Sequence, residues 1–303
     1  MRRKLSGCVS SLFGAMPADA AGLAGLVRAA VFGLCCVKMA VAPLAPLAEL
    51  PPYLFEPISL LAALPRSLQY EILRPDVLTI FQIVACLIAL LAACGARPYR
   101  LWAVAACVLF TAHQALLRSF GHMNHQEISL LFAAYALALF PAADAFTPWP
   151  RNRAPRTREL YAAPIVLAAA GLLLPYSGIA AYRLARSGFA ALTGASLPAY
   201  FVKNSLSVGY EPIGTFILQP PLLVRAAQAT APAVWFFELT APLALVYRRY
   251  RHFWLGFAVV FHLLSWLFMY ILFWESLLLA LVILPVLDRL GEQREPSNAA
   301  GAA

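Results

Sequence analysis

Charged side chains are scarce in this sequence. Only 12% of its 303 residues are Asp, Glu, Lys or Arg, whereas 62% are hydrophobic, and the mean hydropathy is +0.75. A water-soluble protein carries roughly a quarter of charged residues, because much of its surface must be hydrated. The composition therefore excludes a soluble globular domain and predicts an integral membrane protein.

Other patterns are missing as well. The six cysteines form no C-x-x-C pair, which argues against a disulfide framework or a thiol relay. No basic stripe interleaved with aromatics lies outside the apolar runs. The net charge of +9 therefore predicts membrane topology and contact with lipids, and no nucleic acid is expected as a partner. No segment repeats at a fixed period, which is unlike many transporters.

What the sequence does contain is a series of apolar runs. Since a helix needs about 20 apolar residues to cross the hydrocarbon, we predict an all-α bundle of about eight transmembrane helices. The predicted spans are Leu23–Leu47, Val77–Cys94, Leu101–Leu117, Ile128–Phe140, Leu160–Ala181, Ala231–Val246, Phe253–Phe273 and Leu277–Leu287. The fourth and the eighth are short, so a seven-span arrangement with one re-entrant segment is the alternative.

The distribution of Lys and Arg predicts the topology. If the N-terminus is cytoplasmic, the inner segments carry about twice as many basic residues as the outer ones, and "RNRAPRTR" and "YRRYR" lie directly at span ends. We therefore predict a bacterial plasma (inner) membrane protein with both termini cytoplasmic. The expected division is a tail over 1–21, a transmembrane domain over 22–290 and a disordered tail over 291–303. The long outer segments 48–76 and 182–230 are expected to form interfacial helices.

Polar residues interrupt the apolar runs mainly in their outer halves. An ionisable side chain inside a membrane costs a few kcal/mol unless it is paired, so each is a candidate for function. We predict that the candidates line one outward-facing polar cavity. His125, His262 and Glu238 are assigned catalytic roles, and Arg183, Tyr176, Asn124 and Gln114 are assigned substrate binding.

Each candidate also has a structural interpretation. His125 fits an interfacial residue at a helix start, and His262 fits a core histidine hydrogen-bonded to a neighbouring helix. Glu238 is equally suited to pairing with Arg183 or Arg118. The H-x-x-H pattern that ends at His125 has no firm third ligand, so no metal site is predicted.

Three segments in this order resemble the HTTM family, the membrane region shared with vitamin K-dependent γ-carboxylase. They are "MNHQEISLLFAAYALALFPAADAF", "YSGIAAYRLARSGFAALTG" and "FELTAPLALVYRRYRHFWLGFAVVFHLLSWLFMYILF". The resemblance covers roughly residues 22–290. It implies a shared membrane scaffold with a cavity.

The resemblance also assigns individual residues. Asn124 and His125 fall on the family's Asn-His position, His262 on its Phe-His position and Glu238 in its acidic helix. Arg183 stands where the carboxylase has the lysine thought to act as a base. Because the pKa of arginine lies above about 12, it cannot act as a neutral amine. The resemblance therefore argues against glutamate carboxylation itself.

Two hypotheses of function follow. In the first, the protein modifies or matures an exported peptide, or acts on a lipid-soluble quinone as cofactor; a histidine moves a proton and Arg183 binds an anion. Some bacterial relatives of the resembled family are associated with maturation of exported peptides, which makes a peptide or a small membrane protein the expected partner besides lipids. In the second, the protein is a non-enzymatic lipid-binding, transport or scaffold subunit.

Overall fold

The computed structural model describes residues 19–121, 127–149, 156–199, 202–203, 215–216, 218–271 and 273–292. Within these residues all regular secondary structure is helical. The chain divides into two compact units. Unit 1 comprises residues 1–168 and 285–303, and unit 2 comprises residues 169–284.

Five helices are long and apolar enough to cross a membrane: Ala20–Glu49 (including a 3-10 segment), Pro75–Cys94, Tyr99–Arg118, Arg158–Ala190 and Arg248–Met269. They correspond to the first, second, third, fifth and seventh predicted spans. Ile128–Leu139, the predicted fourth span, is apolar but has only 12 residues. These helices fit a multi-pass membrane protein of the all-α class.

Unit 1 contains four helices that pack on one another: α1 (Ala20–Val41), α3 (Pro75–Cys94), α4 (Tyr99–Arg118) and α5 (Ile128–Leu139). The Oδ1 of Asp19 accepts a hydrogen bond from the Gly22 amide at 2.8 Å and so caps the start of α1. Pro75 begins α3, and Gly95 ends it in the left-handed conformation with φ of 71°.

The segment between α1 and α3 is built from short 3-10 turns and the helix α2 (Arg66–Ile72). Leu44 and Leu61 of this segment form a buried apolar cluster with Leu78 of α3 and Leu116 of α4. Short helices were expected here. Their predicted location at a membrane surface stays a prediction.

Arg28 is a charged residue within the first predicted span, Leu23–Leu47. Its side chain is fully buried in unit 1, where Nη2 donates to the Phe146 carbonyl at 2.5 Å and the guanidinium lies 6.0 Å from the Tyr99 ring centroid. A Cβ at Gly95 would lie 1.9 Å from Arg28 Nη1. Gly95 thus leaves the space that the buried guanidinium occupies.

Unit 2 contains the second part of α6 (Arg158–Ser187), then α7 (Pro221–Gln228), α8 (Ala231–Leu239), α9 (Leu243–Val246), α10 (Arg248–Met269) and the start of α11 (Trp274–Glu292). The predicted sixth span, Ala231–Val246, is not one continuous helix, because it breaks between α8 and α9. Pro242 has no N–H to donate to residue 238, and the Thr240 hydroxyl donates to the Phe236 carbonyl at 2.5 Å.

The predicted seventh and eighth spans also have different limits. The helix α10 begins at Arg248, so "RRYR" forms its first turn and not a loop. It ends at Met269, and Tyr270, which follows, has a φ of 53°. The helix α11 runs from Trp274 to Glu292 and contains Pro285. Charged residues at both ends of α11 interrupt its apolar stretch.

Candidate functional site

Tyr176 and His262 form the centre of a polar group inside unit 2. Tyr176 lies in α6 and His262 in α10, and the Tyr176 hydroxyl lies 2.9 Å from His262 Nε2. The His262 side chain is almost completely buried, and its Nδ1 has no hydrogen-bond partner among the described residues. Ser276 of α11 is a second polar neighbour of the Tyr176 hydroxyl.

Aromatic rings surround this pair. Tyr176 and Trp254 form a T-shaped pair with 5.2 Å between ring centroids, and Trp254 stacks on Phe237 at 4.8 Å. The His262 ring lies 5.2 Å from Phe261 and 5.5 Å from Phe273. Such a set of rings gives the imidazole a largely apolar setting.

Trp254 is held in place by its own hydrogen bond. It is completely buried, and its Nε1 donates to the Phe237 carbonyl at 3.3 Å. That bond links α10 to α8, the helix that carries Glu238. The aromatic stack therefore connects the Tyr176–His262 pair to the neighbouring acidic residue.

Arg183 and Glu238 form an ion pair in the same unit. Arg183 Nη1 donates to Glu238 Oε1 at 3.0 Å and to Oε2 at 2.7 Å. The Glu238 side chain is only 6% exposed, whereas that of Arg183 is 49% exposed. Arg183 is therefore the charge partner that stabilises a buried carboxylate, and no other hydrogen bond uses its Nε or Nη2 within the described residues. Glu238 also lies close enough to act electrostatically on the Tyr176 hydroxyl.

Glu238 pairs with Arg183 and not with Arg118, the other predicted partner. Arg118 instead pairs with Glu127 inside unit 1, at the end of α4. Lys38 of α1 lies 3.2 Å from the other carboxylate oxygen of Glu127. Glu127 therefore connects the ends of two helices to the start of α5.

Gln114, a predicted substrate-binding residue, lies in unit 1 within α4. Its Nε2 is 3.3 Å from Nδ1 of the neighbouring His113, and both side chains are buried. The two other predicted residues, Asn124 and His125, lie outside the described residues. Their predicted convergence with the unit 2 residues stays a prediction.

The sequence analysis missed Trp254, Phe237 and Ser276 as parts of the group in unit 2. Trp254 could have been found, since it lies eight residues before His262 on the same helix and so on a similar face. Ser276 carried no such signal, because its contact with Tyr176 depends on how α11 follows the turn at Tyr270.

Histidine, cysteine and acidic side chains are the usual metal ligands in proteins. Within the described ranges, no group of three or more His, Cys, Asp or Glu side chains has an arrangement that could hold a metal ion. The five described cysteines are free thiols. Comparisons of the chain with protein-family models, with curated proteins and with solved structures give no match.

Proposed function

We propose that this chain is a polytopic membrane protein of the HTTM/γ-carboxylase-like type that binds a lipid-soluble quinone beside Tyr176 and His262. The observation that carries the proposal is a buried imidazole with one nitrogen on a tyrosine hydroxyl and the other nitrogen unused among the described residues. A buried polar atom without a partner costs about 1–3 kcal/mol, and a bound ligand would recover that free energy.

A quinone fits both the polar and the apolar parts of this group. Its carbonyl oxygens can accept a hydrogen bond, and its flat ring can pack against Phe261, Phe273 and the Tyr176 edge. A neutral imidazole carries one N–H donor, which can hydrogen-bond to such an oxygen. His262 is therefore proposed as the group that hydrogen-bonds to a quinone oxygen.

The Arg183–Glu238 pair is proposed to hold the charge of a second, anionic substrate. Nη1 of Arg183 is engaged by Glu238, but half of the Arg183 side chain remains exposed. A carboxylate of an exported peptide could use the other N–H donors without displacing Glu238. Because arginine does not deprotonate, this site is proposed for binding and not for glutamate carboxylation.

The full topology belongs to the proposal too. We propose eight crossings in a bacterial inner membrane with both termini cytoplasmic. The support is the five long apolar helices, together with α5, the α8–α9 segment and α11, which lie where further crossings were predicted. A broken helix is compatible with a crossing when its free backbone groups are satisfied within the protein.

Extraction of lipids from the purified protein, followed by mass spectrometry, tests the proposal. We expect a quinone to co-purify with the unchanged protein. The amount of quinone extracted from His262→Gln and from Tyr176→Phe should be at least tenfold lower. His252→Gln is the matched control, because His252 lies on the same helix with an exposed side chain. Equal quinone content in all four proteins would refute a quinone site at His262.

A further inference from the structure

The hydrogen bonds around Tyr176 determine where the proton of His262 resides. The Tyr176 hydroxyl has one hydrogen and two neighbours that can share it: His262 Nε2 at 2.9 Å and the Ser276 hydroxyl. A phenol is a better donor than acceptor, and an imidazole nitrogen is the stronger acceptor of the two neighbours. The favoured arrangement has Ser276 donating to the Tyr176 oxygen, and Tyr176 donating to Nε2.

An Nε2 that accepts a hydrogen bond carries no proton. The proton of the neutral imidazole must then lie on Nδ1. Nδ1 is the buried atom without a partner among the described residues. The site thus presents an N–H donor, and not a bare nitrogen acceptor, to whatever binds beside His262.

We infer that His262 Nδ1–H donates a hydrogen bond to a carbonyl oxygen of the ligand, and that Tyr176 and Ser276 are positioning residues that fix this tautomer. The inference rests on the proposed quinone site and specifies its chemistry. The site would favour the oxidised ligand, because its carbonyl oxygens only accept hydrogen bonds, whereas the hydroxyls of the reduced form need an acceptor for their own hydrogens as well.

The surroundings favour the neutral imidazole. The rings of Phe261, Phe273 and Tyr176 face the imidazole. The titratable residue Glu238 acts on the Tyr176 hydroxyl, and its charge is paired with Arg183. An apolar setting disfavours a second proton on the ring, so the ligand meets a single donor whose direction is set by Tyr176.

Nitrogen NMR of protein with ¹⁵N-labelled histidine tests the tautomer without any ligand. The chain has five histidines, and the His262 signals are identified by their loss in His262→Gln. We expect a protonated Nδ1 and a bare Nε2 in the unchanged protein, and a mixture of tautomers in Tyr176→Phe, with a smaller change in Ser276→Ala. A protonated Nε2 in the unchanged protein, or tautomers that do not respond to Tyr176→Phe, would overturn the inference.

Equilibrium binding of decylubiquinone in detergent tests the donor itself. An asparagine at position 262 keeps an N–H near the place of Nδ1, whereas a glutamine places its amide near Nε2. We expect His262→Asn to weaken binding by less than tenfold and His262→Gln by more than tenfold, with His252→Gln unchanged. Equal losses in both variants would overturn the inference but leave the quinone site intact. No binding to the unchanged protein would instead refute the proposed function.

Discussion

At the scale of single residues, the Arg183–Glu238 pair shows how a buried acid is tolerated. Glu238 is almost fully buried and Arg183 half exposed, so solvent screening reduces the strength of the pair. We expect Arg183→Gln to lower stability by about 1–3 kcal/mol, since it leaves a buried carboxylate without its partner. Thermal unfolding in detergent measures the change.

The double variant separates charge pairing from anion binding. If the pair acts mainly by neutralising Glu238, Arg183→Gln combined with Glu238→Gln should recover most of the lost stability. Arg186→Gln is the control, since Arg186 is exposed on the same helix and bonds to Tyr182. If Arg183→Gln alone kept full stability and undiminished anion binding, both proposed roles of Arg183 would be contradicted.

The close packing around Gly25 leads to a second prediction at the scale of single residues. A Cβ at Gly25 would lie 2.5 Å from the Ala145 carbonyl oxygen and 2.7 Å from the Phe146 Cβ. Because the Ala145 oxygen is a backbone atom, the segment that contains Ala145 and Phe146 would have to shift. The Phe146 carbonyl of this segment accepts a hydrogen bond from Arg28. We expect Gly25→Ala to destabilise the protein by about 1–3 kcal/mol in detergent unfolding.

Gly33 provides the matched control for this substitution. It lies on the same helix, and nothing lies within 4 Å of a Cβ placed there. Gly33→Ala should be neutral or slightly stabilising, because alanine is the better helix former. Equal losses of stability at both positions would show that the close contact at Gly25 is not the cause of the destabilisation.

Sequence reasoning placed Tyr176 and Arg183 on one helix face but did not find all of their contacts. The spacing of seven residues places Tyr176 and Arg183 on one face of a helix, and both contribute to the polar group in unit 2. The choice of Arg183 over Arg118 for Glu238 could not be predicted, because it depends on which helices lie in the same unit. The burial of Arg28 was missed for the same reason.

At the scale of elements, the end of α9, where Tyr247 separates it from α10, leaves carbonyl groups of α9 without a helical N–H partner. Arg251 of α10 binds two of them, with Nε donating to Ala244 at 2.7 Å and Nη2 to Leu245 at 3.0 Å. Arg251 is buried despite its charge. Its planar guanidinium can reach two carbonyls at once, which a lysine cannot do in the same way.

We therefore expect Arg251→Lys to destabilise unit 2 by about 1–3 kcal/mol, with Arg251→Gln at least as severe. Arg249→Gln serves as the control, because Arg249 is exposed in the same helical turn. Protease sensitivity of the junction between α9 and α10 reports the local effect. A stable Arg251→Gln with an unchanged cleavage pattern would show that this junction is held by other contacts.

The limits of the long helices were predictable where a strong stop signal is present. Pro75 and Gly95 delimit α3 within two residues of the predicted span. The break within the predicted sixth span was not predicted, because apolar composition does not reveal a break, although Pro242 and Thr240 were available as signals. The start of α10 was placed too late because its first turn is basic and resembles a loop in composition.

At the scale of the whole molecule, the scarcity of charge predicted the all-helical membrane class, and five helices agree with it. The number of membrane crossings is harder to predict from the sequence. Short or broken apolar segments such as α5 and α8–α9 can cross, re-enter or lie at the surface with similar composition. The eight-span topology therefore needs a direct experiment.

Cysteine labelling from one side of the membrane tests the eight-span topology directly. Thr157 precedes the predicted fifth span and Ser196 follows it, and both are exposed. In the proposed topology, Thr157→Cys lies in the cytoplasm beside the basic segment "RNRAPRTR", and Ser196→Cys lies on the outer side. In intact cells, a membrane-impermeant maleimide should label Ser196→Cys only, whereas permeabilised cells should label both. The unchanged protein, with its own cysteines, gives the background signal. Labelling of both positions in intact cells would mean that α6 does not cross the membrane, and the orientation inferred from the basic residues would be wrong.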